Sequence, residues 1–139
     1  WQRNIAMLRK EAQIKKDEQP LEMLSRIASS TGIAIVLTGE LPKKKEVQRL
    51  FVQAAAEALT NAISHAHAQT LWMELSENEH NYIVRFKNDG ENPKEKVTEG
   101  GGLGSLREKI QSETGTMEVI VEPEYVLIIS LPKERGDNI

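Results

Sequence analysis

Residues 57–68, EALTNAISHAHA, decide how this chain folds, because they set a carboxylate, an amide and imidazoles at helical spacing along an apolar stripe. The stripe starts upstream: Val47, Leu50, Phe51, Ala54, Ala55, Ala58, Leu59, Ala62 and Ile63 recur at i, i+3, i+4 and i+7. That is the period of an amphipathic helix packed on a core. Glu57, Asn61 and His65 are four apart, so a helix stacks them in one line at the margin of the stripe. Such a margin can face a ligand held between a helix and a sheet, and it can equally be the polar rim of a buried helix.

Upstream, residues 1–16 read as a helix with Ile5, Leu8 and Ala12 at heptad-like spacing among Arg and Lys, a stripe too narrow to bury much without a partner. Residues 17–20 break that pattern, since the position before Pro20 is pushed out of the helical region. Residues 21–29 form a second, short helix carrying Leu21, Leu24, Ile27 and Ala28, which Gly32 ends. The apolar, β-branched run 33–38 is the first strand, and residues 39–45, with Pro42, turn into the central helix.

Downstream, residues 70–76 alternate, with Leu71, Met73 and Leu75 on one face and Trp72, Glu74 and Ser76 on the other. Residues 82–87 alternate too, Tyr82, Val84 and Phe86 against Ile83, Arg85 and Lys87, and a turn over 77–81 makes the pair a hairpin. Residues 88–104 are a long polar loop containing Pro93, of the kind that in a compact domain is functional or disordered. A helix over 105–113 closed by Thr114 and Gly115, strands over 117–121 and 125–131 joined at Pro123, and a frayed tail from Lys133 complete the chain. This order predicts an α+β two-layer sandwich: a mostly antiparallel mixed sheet with helices on one face.

At 139 residues the chain suits one domain with a lead-in, and it begins at Trp1 without a signal-like run, so a piece of a longer protein is expected. No segment approaches the ~20 apolar residues that span a bilayer. With no Cys there is no disulfide framework, thiolate nucleophile or Cys-based metal site, and a reducing, cytoplasmic setting fits. A net charge of -3 and few aromatic residues argue against nucleic acid as a partner. His65 and His67 are two apart, not at the i, i+4 spacing of a helical zinc site, and His80 falls in the hairpin turn, so no metal is assigned to them.

Two further signals flank the long loop. Gly100-Gly101-Gly102-Leu103-Gly104-Ser105 lets the backbone pass close to a ligand, and the helix after it presents free N–H groups to an anion; alone, it is as well a flexible connector. It is not a P-loop, lacking Gly-Lys-Ser/Thr, nor a dinucleotide fingerprint, lacking GxGxxG after a strand. Asn88-Asp89-Gly90 is first of all a turn; in a ligand site Asp89 would accept a hydrogen bond from an exocyclic amine, and Gly90 would let a flat ring approach.

Together these pieces resemble the ATP-binding catalytic domain of two-component sensor histidine kinases, a member of the GHKL ATPase fold, in the subgroup allied to nitrate and lipid-fluidity sensors. Residues 57–66 look like the family's N box, Asn88-Asp89-Gly90 like its first glycine box, and residues 100–109, through Leu106-Arg107-Glu108-Lys109, like its second. The likeness spans about residues 20–132. It implies that the chain binds ATP and Mg²⁺ and passes the γ-phosphate to a histidine for relay to a response regulator. By that resemblance Asn61 ligates Mg²⁺ through its side-chain oxygen, and Glu57 is the catalytic residue that holds a metal-bound water or orients the attacking imidazole. Asp89 binds the adenine amine, and Gly90 gives the ring room. Gly100, Gly102 and Gly104 form a lid over the phosphates, with Leu103 in the same segment, the helix from Ser105 supplies N–H donors, and His65 makes a phosphate contact.

The departures are Ser64, where the family commonly has a basic residue, and Asn92, where the first glycine box often has a second glycine. The resemblance divides the chain into a helical stub at 1–19, from a dimerisation and phosphoacceptor hairpin that is not in this sequence, an ATP-binding domain at 20–133 and a tail at 134–139. A fragment of this kind would bind ATP without phosphorylating itself. Its partners would be that hairpin and a response regulator, within a homodimer whose catalytic domain is cytoplasmic; membrane anchoring of the full protein is left open. The competing readings are another GHKL ATPase or anti-sigma serine kinase, and a non-catalytic interaction domain that keeps the fold.

Overall fold

The alternation of the strands becomes a sheet with one apolar face. The computed structural model describes residues 20–63, 67–90 and 102–133. In these the order is α1 (Pro20–Thr31), β1 (Ala34–Thr38), α2 (Lys45–Asn61), β2 (Thr70–Glu77), β3 (Asn81–Asn88), α3 (Gly102–Ser112), β4 (Thr116–Ile120) and β5 (Val126–Pro132). The strands form one five-stranded sheet in the order β1-β2-β3-β5-β4. Only β1 and β2 run parallel; the other pairs are antiparallel. The fold is thus the α+β architecture that the sequence implies.

The register explains why one face is core. Met73 pairs with Phe86, Phe86 with Leu127, and Leu127 with Val119, while the next row runs Leu75, Val84, Ile129, Met117. Apart from partly buried Val119, all of these are buried. Between those rows, on the other face, lie Glu74, Arg85, Ile128 and Glu118. α2 lies over β2, β3 and β5 and also meets α1 and α3. Val52, Ala56 and Thr60, which the apolar stripe did not include, are buried as well. Thr60 satisfies its hydroxyl on the Ala56 carbonyl one turn back, at 2.9 Å. No helix among the described residues is long and apolar enough to cross a membrane.

Three expectations are corrected. The helix of the opening stretch ends at Asn61 and does not run to Ala68. The Ala62 N–H is shared between the carbonyls of Ala58 and Leu59, a wider turn follows at Ala62 and Ile63, and Ala68 N–H closes on Ala62 O at 3.0 Å. The chain must reverse before Thr70, which pairs with Ala34 in the sheet, and His67 makes that reversal at φ 52°, off the helix. The last helix starts at Gly102, three residues earlier than the glycine run suggested, because Leu103, Leu106 and Ile110 share one buried stripe and draw Leu103 into the first turn. The short helix starts at Pro20 and not at Leu21, in a first turn where the missing proline N–H has no helical partner to lose.

Strand limits move by about a residue, and the hairpin turn shortens to 78–80, where Asn78 Oδ1 accepts the N–H groups of His80 and Asn81. The turn at Pro123 is present, with a cis Glu122–Pro123 peptide. The stub at 1–19, residues 64–66, the loop 91–101 and the tail 134–139 lie outside the described residues.

Candidate functional site

Register also decides which chain ends meet. Ala34 pairs with Thr70, Leu71 with Asn88, Lys87 with Val126, and Val126 with Ile120. The starts of β1, β2 and β5 and the ends of β3 and β4 therefore share one end of the sheet. Asn61 closes α2 at this end, where its Nδ2 donates to the Tyr125 hydroxyl at 3.2 Å. Gly115 N–H bonds the Ile110 carbonyl at 2.9 Å, folding α3 back on β4 and turning its first residues toward the same end. Arg107 holds that placement by donating from Nη1 to the Met117 carbonyl at 2.8 Å.

Asn88-Asp89-Gly90 is both a turn and a clamp. Asn88 Oδ1 accepts the Gly90 N–H at 2.8 Å, an Asx turn. Asp89 Oδ1 accepts the N–H of Gln69 at 2.8 Å and of Thr70 at 3.0 Å, so the carboxylate ties the end of β3 to the start of β2. The Thr70 and then the Gln69 N–H stabilise the charged form and hold the exposed carboxyl below its ordinary pKa. Asp89 is thus ionised at neutral pH and can only accept hydrogen bonds. Both backbone bonds fall on one oxygen, and a carboxylate has acceptor positions on two.

Glu57 lies one turn before Asn61 on α2 and is half-buried. In α3, Gly102 and Gly104 belong to the first helical turn together with exposed Ser105, so they form part of the helix whose N–H groups were expected to begin at Ser105. Leu103 is buried in the core, which leaves only its backbone to a ligand. His65 and Gly100 lie outside the described residues.

The donor set fits a hard cation bound mainly by its own ligand. Among the described residues no three His, Cys, Asp or Glu side chains gather, as a protein-built metal cage needs. Mg²⁺ instead takes one or two protein oxygens, with phosphate and water completing its octahedron. With its nitrogen turned to Tyr125, the Asn61 amide keeps Oδ1 for such a role. Two contributors were not found by sequence reasoning: Tyr125, which is 64 residues from Asn61, and the Gln69 and Thr70 N–H groups, which are backbone and carry no side-chain signal.

No protein-family model matches the chain, and no curated protein matches it in sequence. Solved structures do match in fold. The histidine kinase domain of the Erythrobacter litoralis blue-light activated histidine kinase aligns with a TM-score of 0.63 at 19% identity, over 92% of this chain and 69% of that one. A longer structure of the Erythrobacter litoralis kinase gives 0.60 at 22% identity, over 79% of this chain and 40% of that one. The Acinetobacter baumannii histidine kinase AdeS gives 0.60 at 16% identity, over 94% and 74%. At these identities the likeness is one of fold: the chain has the architecture of histidine kinase domains.

Proposed function

We propose that residues 20–133 are the ATP-binding catalytic domain of a sensor histidine kinase. One observation carries this reading: Asn61, Asn88-Asp89-Gly90 and the first turn of α3 are far apart in sequence and reach one end of a sheet whose fold is shared with histidine kinase domains. Asp89, ionised and acceptor-only, receives the adenine amine, with Gly90 beside the ring. Asn61 offers Oδ1 to Mg²⁺, and Glu57, one turn away, holds a water or orients the incoming imidazole. The first-turn N–H groups of Gly102–Ser105 face the phosphates, under a lid that includes Gly100, with His65 as a further phosphate contact. Bound Mg²⁺ would supply neutralisation of the phosphate charge. The chain's own contribution is positioning and preorganised donors.

The Leu106-Arg107-Glu108-Lys109 tail favours a sensor kinase, which we place in the nitrate and lipid-fluidity sensor subgroup, over another GHKL ATPase; in this chain its arginine fastens α3 to β4. The phosphoacceptor histidine belongs to a helical hairpin outside this sequence, within a homodimeric protein that passes the phosphate to a response regulator. The fragment therefore binds ATP without phosphorylating itself, and an acid-labile phosphate on this chain after incubation with radiolabelled ATP would refute that part. The test of the whole reading is calorimetric titration with an unhydrolysable ATP analogue, with and without Mg²⁺, beside GTP. Saturable, adenine-selective, Mg²⁺-enhanced binding is expected. Absence of binding would overturn the kinase assignment in favour of a non-catalytic interaction domain.

A further inference from the structure

Asn61 is the last residue of α2, a place in the backbone that does not by itself set which end of the side-chain amide turns outward. That orientation matters, because the two ends of a carboxamide are alike in shape and opposite in chemistry. The oxygen can bind a hard cation; the NH₂ group has no lone pair to give and carries its positive hydrogens outward. An amide free to flip presents the wrong end part of the time.

The contact to Tyr125 removes that freedom. Tyr125 is only 9% exposed, immediately before β5, and is held where Val126 pairs with both Lys87 and Ile120. Its hydroxyl accepts the Asn61 Nδ2–H at 3.2 Å. We propose that Tyr125 is a positioning residue, whose hydroxyl fixes the Asn61 amide in the orientation that presents Oδ1 to a divalent cation bound with nucleotide. The inference rests on the reading of Asn61 as the cation's protein ligand. It goes beyond that reading by assigning the cation dependence to a second residue, on a different element, that touches neither nucleotide nor metal. No cluster of acidic or imidazole side chains among the described residues would mask the loss of this one oxygen.

The test compares the affinity of the chain for an unhydrolysable ATP analogue in excess Mg²⁺ and in EDTA, for the wild type, Tyr125→Phe, Asn61→Ala and the double variant. Tyr125→Phe is expected to lose roughly three- to tenfold of the Mg²⁺-dependent gain in affinity, the worth of one neutral hydrogen bond, and to bind as the wild type does in EDTA. In the Asn61→Ala background the same change should have no further effect on the Mg²⁺ gain, which a merely structural role for the hydroxyl would not produce. Full Mg²⁺ enhancement in Tyr125→Phe, with enhancement lost in Asn61→Ala, overturns the positioning role alone. Full enhancement in Asn61→Ala overturns the cation reading and the inference with it. A readout that needs no variant is the exchange of the Asn61 side-chain NH₂ protons with water in the ¹⁵N-labelled chain. Slower exchange than at the exposed Asn78 supports the tether, and equal exchange overturns it.

Discussion

Gly115→Ala tests whether the joint between α3 and β4 is as closely packed as the structure has it. A Cβ at this position would meet Ser130 O at 2.5 Å, Leu131 Cδ2 at 2.7 Å and Ile110 Cγ2 at 3.0 Å. The two side-chain carbons could turn aside, but the carbonyl cannot: Ser130 pairs with Ile83 on one side and Thr116 on the other, so its backbone is fixed by two neighbouring strands. Overpacking against a fixed backbone belongs in the upper part of the usual ~1–3 kcal/mol range, about 2–3 kcal/mol. At about 4 °C per kcal/mol for a domain near this size, thermal unfolding followed by circular dichroism should fall by about 8–12 °C. Gly32→Ala is the control: nothing lies within 4 Å of its added Cβ, so only the positive φ of 77° opposes it, at about 1–2 kcal/mol. A Gly115→Ala midpoint within about 3 °C of the wild type would refute the argument, since the strand pair would then have yielded.

Ala58→Leu adds three carbons to a position that is 2% exposed on the face of α2 turned to the core, and should cost ~1–3 kcal/mol in urea unfolding. Leu103→Ala should cost ~2–4 kcal/mol and also weaken binding of the ATP analogue at temperatures where the variant is folded, because it unpins the first turn of α3; unchanged affinity would detach that turn from the site. Asp89 has a lowered pKa, so the stability its charge contributes is present above the unfolded value of about 3.9 and disappears as pH falls through the folded value below it. The stability gap between the wild type and Asp89→Asn should accordingly be full at pH 6 and closed well below pH 3.8; a gap that instead closes between pH 5 and 7 would contradict the backbone clamp.

The regular part of the fold was legible because its signals are local. Alternation at 70–76 and 82–87 and the 3.6 period from Val47 to Ile63 each state a buried face within one element, and each became that element to within a residue or two, except at the end of α2. Where the reading failed, a contact from elsewhere decided. The end of α2 at Asn61 answers to the pairing of Thr70 with Ala34, and the early start of α3 answers to the burial of Leu103 in the core. The same division runs through the site. Asn61, Asp89 and the glycines could be picked out as residue types that suit nucleotide chemistry, whereas Tyr125 could not. Nothing near an aromatic residue after Pro123 says that it will meet the end of a helix 64 residues earlier.

On the proposed reading of the site, Asp89 would make a structural bond and a specificity bond one device. Its Oδ1 is engaged by two N–H groups, and the same two bonds that join β3 to β2 keep the carboxylate ionised. A carboxylate without a proton offers only lone pairs. Before the 6-amino group of adenine it would gain a hydrogen bond; before the 6-oxygen of guanine it would face another acceptor and gain none. ATP should therefore be preferred over GTP in competition titrations. Because the carboxyl pKa lies below the ordinary carboxylate value, the preference should stay level from pH 8 to pH 5. A preference that fades across that interval would mean that Asp89 takes up a proton there, and the backbone clamp could not then be what sets its charge. Whatever loosens the joint between β3 and β2 at Gln69 and Thr70 should therefore also blunt the choice of base.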